Sequence, residues 1–270
     1  MISADRPLVL IGAGNMGGAM LNGWLKQGTD PDHIIIVDPK PSDGMAAKLS
    51  EYGVRHVTAA PDGVTAGVLL VAVKPQVTDA ALPPAQKLVG EGTVSVSIAA
   101  GRTMAYLEEQ LGGAVIRAMP NTPSMVGRGI TGCFPNASVT AEQCAAVTDL
   151  LSVCGEVVWV DDEDHIDAVT AVSGSGPAYA FYLAECMAEA GRKLGLPEEL
   201  AMQLARATVS GAGELMHQAD EDAATLRKNV TSPNGTTAAA LSVLMDEAGL
   251  QPLMDKAVAA AYKRAKELAN

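Results

Sequence analysis

Three glycines near the start of the chain have the spacing of a phosphate-binding turn. Gly12, Gly14 and Gly17 form G-x-G-x-x-G directly after the apolar run Leu8–Ile11, and a helical pattern follows. In a strand–turn–helix of this kind the glycines permit a tight turn, close approach of the backbone to a pyrophosphate and close helix packing. The helix N-terminus adds free N–H groups and partial positive charge. The pattern predicts a dinucleotide site at Gly12, Gly14, Asn15, Met16 and Gly17.

A carboxylate follows the second apolar run, His33–Val37. Asp38 lies where a dinucleotide-binding domain places an acid that accepts hydrogen bonds from the adenosine ribose hydroxyls. An alternative is a turn Asp that ends the strand before Pro39. Lys40 and Ser42 follow closely and could instead hold a 2′-phosphate. NADH and NADPH therefore both remain candidates.

Polar residues also follow two later strand patterns. Lys74 ends the run Val68–Val73, and Asn121 lies in the proline-bracketed segment after Ala114–Met119. Ligands of open parallel sheets bind at the carboxyl ends of strands, so both residues are expected near the cofactor. The alternatives are an exposed surface lysine and an ordinary proline-rich turn.

A hydroxyl-rich segment, Thr231–Thr237, precedes the clearly helical Ala238–Leu244. Hydroxyls at a helix N-terminus make an anion site that matches the size of a carboxylate. The alternative is that one of these hydroxyls simply caps the helix.

The order of elements predicts how these residues are positioned. Apolar runs alternate with helical patterns, which indicates an α/β fold with a doubly wound parallel sheet of the Rossmann type. The predicted helices of this half are Asn15–Gln27, Gly44–Glu51 and Ala141–Val153, and further strands are Thr93–Ile98, Gly129–Phe134 and Glu156–Val160. The acidic run Asp161–Asp164 is interpreted as a solvated linker and helix start. We therefore predict a dinucleotide-binding domain over residues 1–162.

The second half, residues 163–270, is predicted to be all-helical. Helices are expected over Tyr179–Leu194, Pro197–Gln218 and Pro252–Leu268, with a short helical turn at Leu226–Val230. Pro177 should break or bend its helix. A helical half so rich in Ala and Leu is expected to bury its apolar faces in a homodimer.

Composition limits the classes of function. The 270 residues are 48% apolar, carry a net charge of −12 and include only two Trp and two Phe, so a nucleic-acid partner is not expected. No apolar run is long enough to span a membrane, and no N-terminal segment has the pattern of a signal peptide. The four cysteines form no C-x-x-C pair and have no histidine at metal-ligand spacing, so no metal site is expected. They are interpreted as buried, reduced thiols of a cytoplasmic protein.

Taken together, these motifs resemble those of the Δ1-pyrroline-5-carboxylate reductases, and the resemblance spans nearly the whole chain. The matching segments are Gly12–Gly17, Val71–Gln76, Arg117–Pro123, Asp167–Tyr179 and Val230–Thr237. The last two are the most specific. One departure is Asn234, where the family usually has a glycine, although Asn tolerates a left-handed backbone better than most residues.

The resemblance implies an NAD(P)H-dependent oxidoreductase that reduces a cyclic imine to L-proline, and a homodimer or larger homo-oligomer formed through the helical halves. Implied cofactor residues, besides those above, are Val73, Lys74, Pro75 and Asn121. Implied substrate residues are Ser175, Ser232, Gly235, Thr236 and Thr237, with the Thr237 hydroxyl at the imine nitrogen as the catalytic group.

Two alternatives remain at this stage. A related imine or 3-hydroxy acid reductase would place an acid–base lysine in the helical half, but Lys193 and Lys228 lie in no recognisable motif. A non-catalytic NAD(P)-binding sensor would keep the glycine turn and lose the hydroxyl-rich segment, which this chain retains.

Overall fold

The structure, a computed structural model, describes residues 1–269. These residues form two compact units. The sheet unit comprises Met1–Gly174 together with the C-terminal residues from Ala261, and the helical unit comprises Ser175–Ala260. The predicted division into functional domains at residues 162 and 163 stays a prediction.

An eight-stranded sheet lies at the centre of the sheet unit, in the order β3-β2-β1-β4-β5-β6-β7-β8. The strands are β1 Leu8–Ile11, β2 Ile34–Val37, β3 Arg55–Val57, β4 Val68–Val71, β5 Val94–Ser97, β6 Ala114–Met119, β7 Gly129–Pro135 and β8 Gly155–Trp159. Neighbouring strands are parallel except β6 and β7, which are antiparallel. The doubly wound parallel sheet that the sequence predicts is confirmed, and the antiparallel pair of β6 and β7 is the one departure from parallel pairing among these strands. The connection 120–128 is too short for a parallel crossover, which takes about a dozen residues or more.

Both faces of the sheet are covered, which explains why its strands are continuous apolar runs. Successive residues of β1 point to opposite faces. Leu8 and Leu10 pack in one buried cluster with Trp24, whereas Val9 and Ile11 pack in a second cluster with Leu107. The carboxyl ends of the central strands are thereby held at one edge of a rigid sheet.

The helices of the sheet unit are α1 Asn15–Lys26, α2 Asp43–Tyr52, α3 Thr78–Ala85, α4 Met104–Leu111, α5 Ala141–Leu151 and α6 Asp164–Val169. A single π-helical turn, Thr170–Gly174, continues α6. The remaining helices are α7 Gly176–Lys193, α8 Glu198–Gln218, α9 Ala223–Asn229, α10 Thr236–Leu244 and α11 Leu250–Ala269. The prediction that Pro177 breaks or bends a helix was wrong: Pro177 lies in the first turn of α7, where the helix needs no N–H from it, and α7 runs without interruption to Lys193.

The cysteines and the membrane prediction can be compared with the structure directly. All four thiols are free, and Cys133 and Cys154 are buried. The prediction was wrong for Cys186, which is exposed on α7, and for Cys144, which is half-buried on α5. Within residues 1–269, no helix combines the length and apolar character needed to cross a membrane.

Candidate functional site

The glycine turn has the steric requirements that its spacing predicts. Gly12 has φ +90°, and a Cβ there would lie 2.9 Å from the Ala72 carbonyl oxygen. A Cβ on Gly17 would overlap the carbonyl oxygen of Gly12. Gly14, by contrast, has open space where its Cβ would project. The turn is therefore closed by protein at its first and third glycines and open at the second, where a ligand can approach the backbone.

The open side of this turn leads to the start of α1. Gly14 is the N-cap residue of α1, so no side chain occupies the first N–H groups of the helix. The first helical hydrogen bond runs from the Gly18 N–H to the Gly14 carbonyl oxygen, 2.7 Å. The N–H groups of the first turn therefore point toward the open side, as a bound pyrophosphate requires.

Asp38 is held by the turn itself. Its Oδ2 accepts a hydrogen bond from the Ala13 N–H at 2.8 Å, and its Oδ1 accepts one from the Lys40 N–H at 2.9 Å. The backbone carbonyl of Asp38 lies 2.8 Å from Nε2 of His56. Asp38 thus fixes the glycine turn as well as marking the end of β2, a role that the sequence pattern alone did not predict.

A cavity of about 320 Å³ lies beside these groups. Its lining includes Gly14, Asn15, Asp38, Lys40, Ser42 and Met125. Backbone N–H groups at one end and an ammonium group at the rim suit the phosphate and ribose portions of a dinucleotide. Sequence reasoning missed Met125, because nothing in the pattern indicates that the turn after Pro123 folds back to this cavity.

The other predicted cofactor residues lie near the carboxyl edge of the sheet. The side chain of Val73 packs against Gly12, and Lys74 is exposed at the start of a 3-10 turn whose first residue is Pro75. Asn121 follows β6, and its Oδ1 accepts a hydrogen bond from the Ile130 N–H at 3.0 Å. Met16 instead packs against the buried cluster beneath α1 and does not line the cavity.

Arg102 supports the Lys74–Pro75 turn, and the sequence analysis did not predict it. Its guanidinium donates a hydrogen bond to the Pro75 carbonyl oxygen at 3.3 Å and pairs with Asp79 at 2.9 Å. It also lies over the Tyr106 ring, 4.8 Å from the centroid. A hydrogen bond from Tyr106 and the charge of Arg102 lower the pKa of Asp79. Arg102 lies directly after the small residues that follow β5, and this position could have indicated that it lies near the site.

The hydroxyl-rich segment lies in the helical unit and forms a tight turn before α10. The Gly235 N–H donates to the Ser232 carbonyl oxygen at 3.0 Å, and Gly235 is the N-cap of α10. No side chain caps the helix, so simple N-capping does not explain the hydroxyls. Ser232 and Thr236 are exposed and Thr237 is half-buried. Three hydroxyls and the first N–H groups of α10 thus lie together.

Asn234 occupies the special backbone position of this turn. Its φ is +58°, the only positive value at a non-glycine residue among residues 1–269. Asn is one of the few residues that adopt this conformation readily. The turn is therefore kept with Asn in the place where a glycine was expected.

Ser175 is the first residue of the helical unit and directly precedes α7. Its side chain makes no capping hydrogen bond, and its carbonyl oxygen accepts the Ala178 N–H at 3.0 Å. The structure thus brings the glycine turn, Asp38 and Val73 together in the sheet unit, and Ser232, Gly235, Thr236 and Thr237 together in the helical unit.

Comparisons with known proteins match both halves of the chain. Residues 163–268 match the family model described as pyrroline-5-carboxylate reductase dimerisation, and residues 7–101 match the model described as NADP oxidoreductase, coenzyme F420-dependent. The chain is 42% identical to pyrroline-5-carboxylate reductase of Pseudomonas aeruginosa, with 97% of each sequence covered.

Solved structures give the same result. The structure of a pyrroline-5-carboxylate reductase from Coxiella burnetii matches with a TM-score of 0.90 at 35% identity, covering 98% of this chain and 99% of that one. A Plasmodium falciparum pyrroline carboxylate reductase with NADP bound matches with a TM-score of 0.78 at 26% identity, covering 99% of each chain.

Proposed function

The chain belongs to the pyrroline-5-carboxylate reductase family, and on that premise we propose that it reduces 1-pyrroline-5-carboxylate to L-proline with NAD(P)H. The observation that carries the proposal is the turn Ser232–Thr237, where three hydroxyls lie at the uncapped N-terminus of α10. The substrate's carboxylate needs such N–H and hydroxyl donors. Its ring nitrogen needs one polar partner, which the half-buried Thr237 supplies.

The residues that would hold the cofactor fit it. The N–H groups at the start of α1 and the open side of Gly14 suit the pyrophosphate, and the cavity beside Asp38 and Lys40 suits the adenosine ribose. The reduced nicotinamide, when bound, supplies the hydride. The chain's own residues then act by binding and orientation.

The helical unit would orient the imine. Ser232, Thr236 and the first N–H groups of α10 hold the carboxylate and so fix the orientation of the ring. Thr237 Oγ1 forms a hydrogen bond with the ring nitrogen and keeps the nitrogen's proton in place. Ser175, directly before α7, is a further residue that would contact the substrate. A protonated imine is already electrophilic, so holding the reacting carbons about 3–3.5 Å apart supplies most of the catalysis.

We further propose that the protein is a cytoplasmic homodimer, or a larger assembly of dimers, formed through the helical unit. Large apolar side chains are exposed there, including Phe181, Tyr182 and Leu183 on successive positions of α7. A second copy of the chain would cover them, as the matched dimerisation model supports.

Purified protein should be mixed with NADPH or NADH at saturating 1-pyrroline-5-carboxylate, and cofactor oxidation followed by absorbance. We expect turnover with at least one cofactor and stoichiometric L-proline, identified by chiral chromatography. Binding of cofactor, measured by nicotinamide fluorescence, without any turnover would contradict the proposal and favour the sensor or another substrate.

A further inference from the structure

We propose that Arg117 is a positioning residue for the reaction, acting through a buried ionic network with Glu163 and Asp167. The part of the inference that concerns turnover rests on the proposed function. Its structural part concerns only the sheet unit and can be tested without activity.

The network is made of short contacts to a buried arginine, one from the buried Asp167 and one from Glu163, which is 31% exposed. Arg117 lies in the middle of β6, and only 4% of its side chain is exposed. One terminal nitrogen lies 2.8 Å from Oε1 of Glu163, and the other lies 2.8 Å from Oδ1 of Asp167. Asp167 is itself buried, with 8% of its side chain exposed. A buried arginine between two carboxylates makes charge-assisted hydrogen bonds of fixed direction.

These contacts join three segments at the edge of the sheet where the cofactor would bind. Glu163 Oε1 also accepts a hydrogen bond from the Met104 N–H at 2.7 Å, so the same carboxylate holds the start of α4. Arg117 and Met119 point to the same face of β6, because they are two residues apart in a strand. The network therefore ties β6 to the starts of α4 and α6.

Asp167 anchors the end of α6 from which the π-helical turn Thr170–Gly174 continues. The π-helical turn Thr170–Gly174 begins three residues later, and π turns are frequent at functional sites. A Cβ on Gly174 would lie 3.7 Å from the sulfur of Met119, so the end of this turn rests on the residue before Pro120 and Asn121. The chain then enters Ser175. The ion pair thus fixes the turn against the loop that is predicted to lie near the cofactor.

Arginine is required because one side chain must bond two carboxylates in different directions. The guanidinium presents its donors in a rigid fork, whereas a lysine offers a single point charge. Loss of one bond would free the π turn while leaving the glycine turn between β1 and α1 intact. The expected result is a loss of turnover without a matching loss of cofactor affinity.

The test compares two isosteric variants on the same helix. Asp167→Asn weakens the buried contact and leaves the Arg117–Glu163 pair balanced in charge. Asp164→Asn is the matched control, because Asp164 pairs with Lys266 at 3.0 Å on the exposed surface. Each variant is measured for kcat, KM for the imine, NADPH Kd by fluorescence, melting temperature, and hydrogen–deuterium exchange over residues 169–174.

For Asp167→Asn we expect faster exchange over residues 169–174 and kcat lowered about tenfold or more, with NADPH Kd changed by less than about twofold. The control should match the wild type in kcat and in exchange. If Asp167→Asn does not fold, Arg117→Lys is measured in its place with the same expectations.

A lower melting temperature with wild-type kcat and wild-type exchange would show a merely structural role and overturn the proposal. If the wild type does not turn over the imine, the proposed function has failed. Exchange over residues 169–174 then decides the inference by itself, since unchanged exchange in Asp167→Asn overturns it.

Discussion

The sheet unit completes its own core, whereas the helical unit does not. Leu8, Leu10 and Leu69 in the sheet are fully buried. In the helical unit Phe181 is 64% exposed and Tyr182 66% exposed, and the buried cluster of α7 and α8 consists of alanines. Covering a large apolar side chain is worth roughly 1.5–3 kcal/mol. The core of the first unit is therefore filled by residues of that unit, whereas the second unit exposes apolar side chains that a further surface would cover.

The two units also present their candidate ligand groups differently. In the sheet unit the groups are mainly backbone N–H donors, and glycines fix their placement by excluding side chains. In the helical unit they are mainly hydroxyls on an exposed turn. We therefore expect steric substitutions to affect cofactor binding and side-chain truncations to affect turnover.

The largest effect is expected in the glycine turn. Gly17→Ala places a methyl group on the Gly12 carbonyl oxygen and forces the backbone to move, so NADPH Kd should rise about 100-fold or more. Gly14→Ala meets only open space within the protein, so its melting temperature should match the wild type while NADPH Kd rises about tenfold. An unchanged Kd in both variants would place the cofactor elsewhere.

Phe181→Glu should split the assembly. A charge in the proposed subunit interface leaves a buried, unmatched carboxylate, which should weaken association by about 2–4 kcal/mol. Light scattering should show a smaller particle at micromolar concentration. Tyr52→Glu is the control, because Tyr52 is 46% exposed on α2 of the sheet unit, and its particle mass should not change. Equal masses for all three proteins would contradict an interface at α7.

The same physical differences explain which strands and helices could be predicted from the sequence. Central strands such as β1 and β4 were predictable, because residues buried on both sheet faces must form apolar runs. Strand β3 was missed because it is an exposed edge with Arg55 and His56. Helix α3 was missed because Pro83 and Pro84 lie in its last turn and argue against a helix.

The site was predictable where backbone geometry decides it and unpredictable where distant residues meet. Glu163 was interpreted as part of a solvated linker, yet it contacts the buried Arg117. That pairing joins residues far apart in sequence, so no local pattern shows it. An arginine in a strand that is otherwise apolar was the available signal, since buried charges are normally paired.

Alkaline pH should destabilise the sheet unit through its buried thiols. Burial raises the pKa of Cys133 to about 12 and that of Cys154 to about 11. Between the unfolded pKa of 9.0 and these values, the unfolded chain loses protons that the folded chain keeps. The free energy of unfolding should therefore fall as pH rises above 9, by at most about 1.4 kcal/mol per pH unit per thiol.

Urea unfolding between pH 8 and 10.5 measures this slope. In Cys133→Ala the fall in the free energy of unfolding with pH should be shallower by the contribution of one thiol proton. Equal slopes for the wild type and Cys133→Ala would show that Cys133 ionises in the folded protein.

The smallest effect is expected at Asn234. Asn234→Val puts a branched side chain at φ +58° and should lower the free energy of unfolding by about 1–2 kcal/mol. Asn234→Gly should keep both stability and kcat/KM near wild type, since glycine adopts this backbone freely. A large loss of kcat/KM in Asn234→Gly, with stability unchanged, would instead assign the Asn side chain a role in binding the substrate.

The central claim is that the sheet unit binds the cofactor and that the hydroxyls of the helical unit determine turnover. It is tested most directly by removing the Thr237 hydroxyl and measuring turnover and cofactor binding together. Thr237→Ala should lower kcat/KM for the imine about 100-fold or more with NADPH Kd unchanged, and Thr237→Ser, which keeps the hydroxyl, should recover most of the activity. Wild-type kcat/KM in Thr237→Ala, or equal losses in turnover and NADPH affinity, would contradict the account.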